Sequence, residues 1–324
     1  MRALFRSTHL LCLGVLLGPA CRAGDSQIVS TRTVSGTVDH DTRPTRREVF
    51  ELDDFALYVP AEVATARGLI LALGGPDTRA FVTGVPTGAP SPELEASLQT
   101  LGQELRRLAA SHGLAVLGTS QRALPDSSDS DRLLLEAVQT AAAESGRPEL
   151  AGASVLLYGI SGGGPQASSF AARNPERTAG LLLNGPAAVT SVTGGSALLV
   201  PTYMLLAELD TIVDNAELTK AFDSSRRAGA LWGLAVEPQL PHHSLSPAER
   251  RVTVNWIRTI LELRLPAGSS EPLREIDAAS GWLGDRSTGK ATPWATYRGD
   301  RESASWLPSQ ATAEDWESFV APSR

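Results

Sequence analysis

Between Arg47 and Leu265 the chain alternates two kinds of apolar pattern, and this alternation restricts its possible folds more than any other feature. One kind is a short, nearly unbroken apolar run that stops at a glycine or a polar turn. "GLILALGG" (68–75), "LAVLGTS" (114–120), "ASVLLYGI" (153–160), "GLLLNG" (180–185), "VPTYMLLAELD" (200–210) and "LWGLAVEP" (231–238) are of this kind. Side chains along a strand alternate between its faces, so a strand apolar throughout is buried on both. The other kind is helical. Leu94, Leu98, Leu101, Leu105 and Leu108 recur at steps of four and three, one stripe on a helix that Gly113 closes. Similar stripes predict helices over 131–145, 214–228 and 246–263, and 49–59 suits one or two leading strands. Strands alternating with helices imply an α/β fold, a doubly wound, mostly parallel sheet covered on both faces. Such a sheet binds ligands at the carboxyl ends of its strands.

At one of those ends stands "VLLYGISGGGPQA" (155–167). Gly159-Ile160-Ser161-Gly162-Gly163 has the Gly-x-Ser-x-Gly form of a nucleophile elbow, in which a serine sits on a strained turn between a strand and a helix. The flanking glycines give neighbouring backbone room to pass. The following helix points its positive end at any oxyanion that develops there. The bland alternative is a Gly/Ser loop. The position after a strand and before a helix favours the elbow.

With these residues the stretch 47–265 resembles an α/β-hydrolase, in particular the secreted esterases and polyester-depolymerase-like hydrolases, where Ser-Gly-Gly-Gly after the strand is familiar. The resemblance implies a catalytic triad in the order Ser…Asp/Glu…His. Asp210 follows a strand in "AELDTIV", similar to the family's Gly-x-x-Asp-x-x-Val, and is the expected acid. Asp214 reads instead as a helix cap, with Glu217 completing a capping box, and Glu208 is a weaker third candidate. Of five histidines, His242 and His243 follow Asp210. They precede Ser246-Pro247-x-Glu249, a capped helix start. His243 fits the spacing to that helix better and is the expected base, with His242 the alternative. The resemblance also implies two oxyanion donors, the N–H of Gly162 and one from the loop after 68–75. Gly75 is expected there, because Pro76 has no N–H. Leu73-Gly74-Gly75 departs from the His-Gly often found at this point.

The ends of the chain read differently. Arg2 and Arg6 precede an apolar run, 10–17, too short to span a bilayer, so residues 1–21 read as an export signal. Cleavage has two readings: an ordinary signal peptidase at Gly18 and Ala20, or a lipobox that leaves Cys21 lipidated and the chain attached to a membrane. Cys12 and Cys21 are the two cysteines. Processing leaves Cys21 without an intramolecular partner. Residues 22–46 look like a polar tether, and 47–266 form the hydrolase domain. Residues 267–324 are rich in Pro and Gly, yet hold four of the six tryptophans. Disordered segments are poor in aromatics, so this extension is expected to pack on the hydrolase domain.

A net charge of −7 with no Lys/Arg block argues against a nucleic-acid partner. No His/Asp/Glu cluster has metal-ligand spacing, and no cofactor is expected. About sixteen small, polar residues separate the strands near 183 and 200, too few for a folded cap. An open site on an exported protein suits small-molecule esters or the ends of polymeric ones. The expected function is an exported serine esterase working through an acyl-enzyme. A peptidase or acyltransferase on the same triad is the nearest alternative. A non-catalytic binding lipoprotein on a hydrolase scaffold is the more distant one.

Overall fold

A computed structural model describes residues 48–52, 54–74, 77–86, 89, 91–120, 129–242, 245–268 and 271–321. The expected export signal, Cys21 and the tether lie outside these residues, as do Gly75, Pro76 and His243.

Each of the six apolar runs forms a strand, and two partly buried strands precede them. They are β1 (Val49–Leu52), β2 (Phe55–Tyr58), β3 (Gly68–Leu73), β4 (Ala115–Thr119), β5 (Ser154–Ile160), β6 (Thr178–Asn184), β7 (Thr202–Ala207) and β8 (Trp232–Glu237). They make one eight-stranded sheet in the order β1-β2-β4-β3-β5-β6-β7-β8. β2 runs antiparallel to both neighbours. The strands from β4 through β8 pair in parallel. Parallel neighbours need crossovers, which α1 (Arg79–Thr83), α2 (Pro92–His112), α3 (Ser130–Glu144), α4 (Gly164–Arg173) and α5 (Asn215–Arg227) supply. α6 (Pro247–Arg264) follows β8. The segment from β6 to β7 holds a single 3-10 turn, Ser196–Leu199, and no folded cap. This is the α/β-hydrolase fold.

The strand period of two divides the core cleanly. Leu156, Tyr158 and Ile160 of β5 face one side with Leu98 and Leu105 of α2 and Trp256 and Ile260 of α6. Val155 and Leu157 face the other with Leu134 of α3, Phe170 of α4 and Phe222 of α5. Burying such a side chain contributes about 1.5–3 kcal/mol, so this double-sided packing fixes β5, and the turn at its end, at the centre of the sheet.

The extension after 266 is built from short antiparallel strands: β9 (Trp282–Asp285), β10 (Lys290–Pro293) and β11 (Ser305–Leu307), in the order β10-β9-β11, followed by α7 (Gln310–Val320). It packs along β8, the last strand of the large sheet. The Leu234 N–H donates to Ser305 Oγ at 3.1 Å. The Leu234 carbonyl accepts from Ser305 Oγ at 2.8 Å and from the Trp316 indole N–H at 2.7 Å. An edge strand left open is a template for unwanted pairing, and here side chains of the extension occupy the backbone N–H and carbonyl of Leu234. Arg226 of α5, 3% exposed, ties the same joint by donating to the carbonyls of Ala304 (2.8 Å), Arg301 (2.6 Å) and Ala230. Burial pushes its pKa down to about 10, which still leaves it a cation at neutral pH. Asp315 of α7 accepts from Asn255 of α6 at 2.8 Å, and Arg286 pairs with Asp223 of α5 at 2.6 Å. The extension therefore reaches both faces of the sheet.

Candidate active site

β5 ends at Ile160, α4 begins at Gly164, and one 3-10 turn, Ser161–Gly163, joins them. Ser161 takes φ 48°. For a residue with a Cβ this left-handed conformation costs about 1–2 kcal/mol, and here packing enforces it. A Cβ on Gly163 would stand 2.0 Å from the Leu73 carbonyl oxygen, and one on Gly159 would stand 2.9 Å from the Ala167 Cβ. At Gly162 a Cβ would meet nothing within 4 Å. The flanking glycines are thus demanded by close approach, whereas Gly162 faces open space.

Ser161 Oγ lies 3.2 Å from His242 Nε2. His242 Nδ1 lies 2.5 Å from Asp210 Oδ2. The other Asp210 oxygen accepts the backbone N–H groups of Ile212 (2.8 Å) and Val213 (3.1 Å). The Asp210 side chain is 1% exposed and that of His242 is 14% exposed. Burial by itself would raise the Asp210 pKa. The hydrogen bonds from His242, Ile212 and Val213 outweigh it and hold the carboxyl below its ordinary value. An ionised carboxylate only accepts, so Nδ1 carries the ring proton and Nε2 presents its lone pair to the Ser161 hydroxyl.

Ser161 and Asp210 therefore meet through His242. The expected base, His243, falls outside the described residues, and the imidazole between serine and acid is the residue before it. The reason lies in the path of the β8–α6 loop. The Leu209 N–H donates to the Leu240 carbonyl at 2.9 Å, which ties the loop beyond β8 to the segment before Asp210, two residues ahead of His242. Spacing to the α6 cap carries no information about that pairing. Asp214 caps α5, accepting from Ala216 N–H (3.0 Å) and Glu217 N–H (3.1 Å). Glu208 accepts from Gln239 rather than from an imidazole.

Gly162 lies in the first turn of the helical segment, where N–H groups have no intrahelical acceptor and the α4 dipole is positive. The other expected donor, Gly75, lies outside the described residues. Its neighbour Gly74, at φ 67°, is pressed onto the elbow, where a Cβ would stand 2.2 Å from Gly163 N. The chain after β3 thus leaves from beside Ser161.

Sequence reasoning missed Gly185. It follows β6 at φ 46°, and a Cβ there would stand 3.3 Å from both Nδ1 and Cε1 of His242. It forms a flat wall against the imidazole. Its only trace in the sequence was the glycine that ends "GLLLNG". Also missed was a buried group beneath the site, in which the Asn184 amide donates to Glu249 and lies 3.3 Å from the Tyr158 hydroxyl. Among the described residues no group of three or more His, Cys, Asp or Glu side chains is placed to hold a metal ion.

No family model matches the chain. No curated protein matches its sequence. Among solved structures the chain is similar to esterase PE8, with 17% identity and a TM-score of 0.44 over 63% of this chain and 97% of that one. It is similar to MGS-M1, an α/β hydrolase enzyme from a Medee basin deep-sea metagenome library, with 13% identity and a TM-score of 0.44 over 66% and 93%. It is also similar to a predicted CIB-like hydrolase from Thermoplasma acidophilum, with 17% identity and a TM-score of 0.41 over 65% and 92%.

Proposed function

We propose that this chain is an exported serine hydrolase that cleaves carboxylic esters, with Ser161 as nucleophile, His242 as general base and Asp210 as the acid that orients it. The observation that carries the reading is the continuous relay from Asp210 Oδ2 to His242 Nδ1 (2.5 Å) and from His242 Nε2 to Ser161 Oγ (3.2 Å). His242 takes the Ser161 proton as Oγ attacks the ester carbonyl. The tetrahedral oxyanion accepts from the Gly162 N–H, aided by the α4 N-terminus. Its collapse expels the alcohol, which receives the proton from His242 and leaves an acyl-enzyme. Water, activated by the same imidazole, then releases the acid.

The described β6–β7 segment holds no folded cap, which supports small acyl esters or the ends of polymeric esters as substrates. Export rests on Arg2, Arg6 and the apolar run 10–17, and membrane attachment on Cys21. The test of the catalytic reading is covalent labelling with a fluorophosphonate, alongside hydrolysis of p-nitrophenyl acetate. Wild type should label and turn over, and Ser161→Ala should do neither. Folded wild-type protein that does neither overturns the reading.

A further inference from the structure

Just outside the triad the acid and base loops are stitched together by a contact that the chemistry does not use. Glu208 lies two residues before Asp210, and Gln239 lies three before His242. One carboxylate oxygen, Glu208 Oε2, accepts both the Gln239 backbone N–H (2.8 Å) and its side-chain Nε2–H (2.9 Å). Backbone bonds flank this contact: Glu208 N–H donates to the Glu237 carbonyl (2.9 Å) and Leu209 N–H to the Leu240 carbonyl (2.9 Å). Gln239 takes φ 60°. A residue with a Cβ holds that conformation only where its surroundings favour it, and both Gln239 N–H donors are bonded to Glu208 there. The left-handed turn follows β8 and precedes His242 by three residues.

We infer that Glu208 and Gln239 are positioning residues of the proposed triad: the Glu208 carboxylate clamps the turn at Gln239 and so sets the His242 imidazole within reach of both Asp210 and Ser161. The inference rests on the triad reading. A clamp of this kind acts on the geometry of proton transfer, not on substrate binding, and small misplacements of a catalytic group are expensive in rate. Its loss therefore lowers kcat and leaves KM alone.

The experiment compares wild type, Glu208→Ala, Glu208→Gln, Gln239→Gly and the Glu208→Ala/Gln239→Gly double variant. The readouts are kcat and KM for p-nitrophenyl acetate, the pH profile of kcat, the fluorophosphonate labelling rate and the thermal midpoint. Glu208→Ala should lower kcat and labelling about tenfold, with KM and the pH profile unchanged. Glu208→Gln keeps an acceptor oxygen at the same place and should recover most of that loss. Gln239→Gly adopts φ 60° freely and keeps the backbone bond, so it should lose only about two- to fivefold. The double variant should be no worse than Glu208→Ala, because both changes break one clamp.

Wild-type kcat in Glu208→Ala overturns the positioning role. So does a Glu208→Gln variant as slow as Glu208→Ala, since charge rather than geometry would then be at work. If Glu208→Ala fails to fold, wild-type kcat in Gln239→Gly overturns it instead. A wild type inert to the fluorophosphonate removes the triad reading and the positioning role with it. A reactive wild type whose rate is indifferent to Glu208 removes the positioning role alone.

Discussion

Leu73 and Gly163 approach so closely that nothing larger than hydrogen fits between them: a Cβ on Gly163 would lie 2.0 Å from the Leu73 carbonyl oxygen. Gly163→Ala must push β3 away from the elbow, and should cost about 1–3 kcal/mol or more together with most of the activity. Gly162→Ala meets open space and should change stability by about 0.5 kcal/mol or less. Urea denaturation of the two variants side by side checks the contrast.

The two histidines separate under mutation. His242→Ala should lower kcat by at least about 10⁴-fold, as removal of a triad member does. His243→Ala should stay within a few-fold of wild type. Steady-state kinetics on purified protein decides it, and the opposite order would move the base to His243.

Asp210 makes stability depend on pH in a defined direction. Its native pKa lies below the ordinary value of 3.8, so the folded state binds its proton more weakly than the unfolded chain does. The resulting stabilisation is complete above that ordinary value and disappears as the pH falls through the lower native one. The stability gap between wild type and Asp210→Asn should therefore be constant near neutrality and shrink below about pH 4. Urea midpoints measured from pH 7 down to pH 3 test this. The same variant should lose about 10⁴-fold in kcat at neutral pH.

The extension can be unpicked one bond at a time. Trp316→Phe keeps most of the packing but removes the donor to Leu234 O, and should cost about 0.5–1.5 kcal/mol. Trp316→Ala also leaves a cavity beside Gly284, whose Cβ position lies 3.0 Å from the indole, and should cost about 3–5 kcal/mol. Thermal or urea unfolding of both variants gives the comparison. Equal losses would show that the indole N–H contributes nothing.

Export and anchorage are tested in a bacterial host. If Cys21 is lipidated, wild type should take up labelled palmitate and fractionate with membranes, and Cys21→Ala should do neither. A mature N-terminus free of lipid would favour the ordinary signal peptidase.

Much of the body was legible because each signal was physical and local. Runs such as "GLILAL" are apolar on both faces because both faces are covered. The stripe from Leu94 to Leu108 marks α2, and Gly113 closes it at φ 65°. Ser161 announced itself through glycines that close packing demands. The proposed base was harder to read, because His242 stands two residues beyond a hydrogen bond between Leu209 and Leu240 that no spacing rule encodes. Gly185 was invisible for a related reason: its role is to leave room for a ring 57 positions away in sequence. The strands of the extension are three or four residues long and hold Gly284 and Pro293, too short for any period to declare itself.

The joint at Leu234 also sets an order of events. Its partners Ser305 and Trp316 lie 71 and 82 residues further along. A chain that emerges amino end first can lay down every strand of its large sheet and still have an unfinished rim until Ser305 and Trp316 are free. Contacts so distant in sequence form late. Until Trp316 arrives, the newborn polypeptide carries an open seam at Leu234, and an unpaired edge is a template for its own siblings.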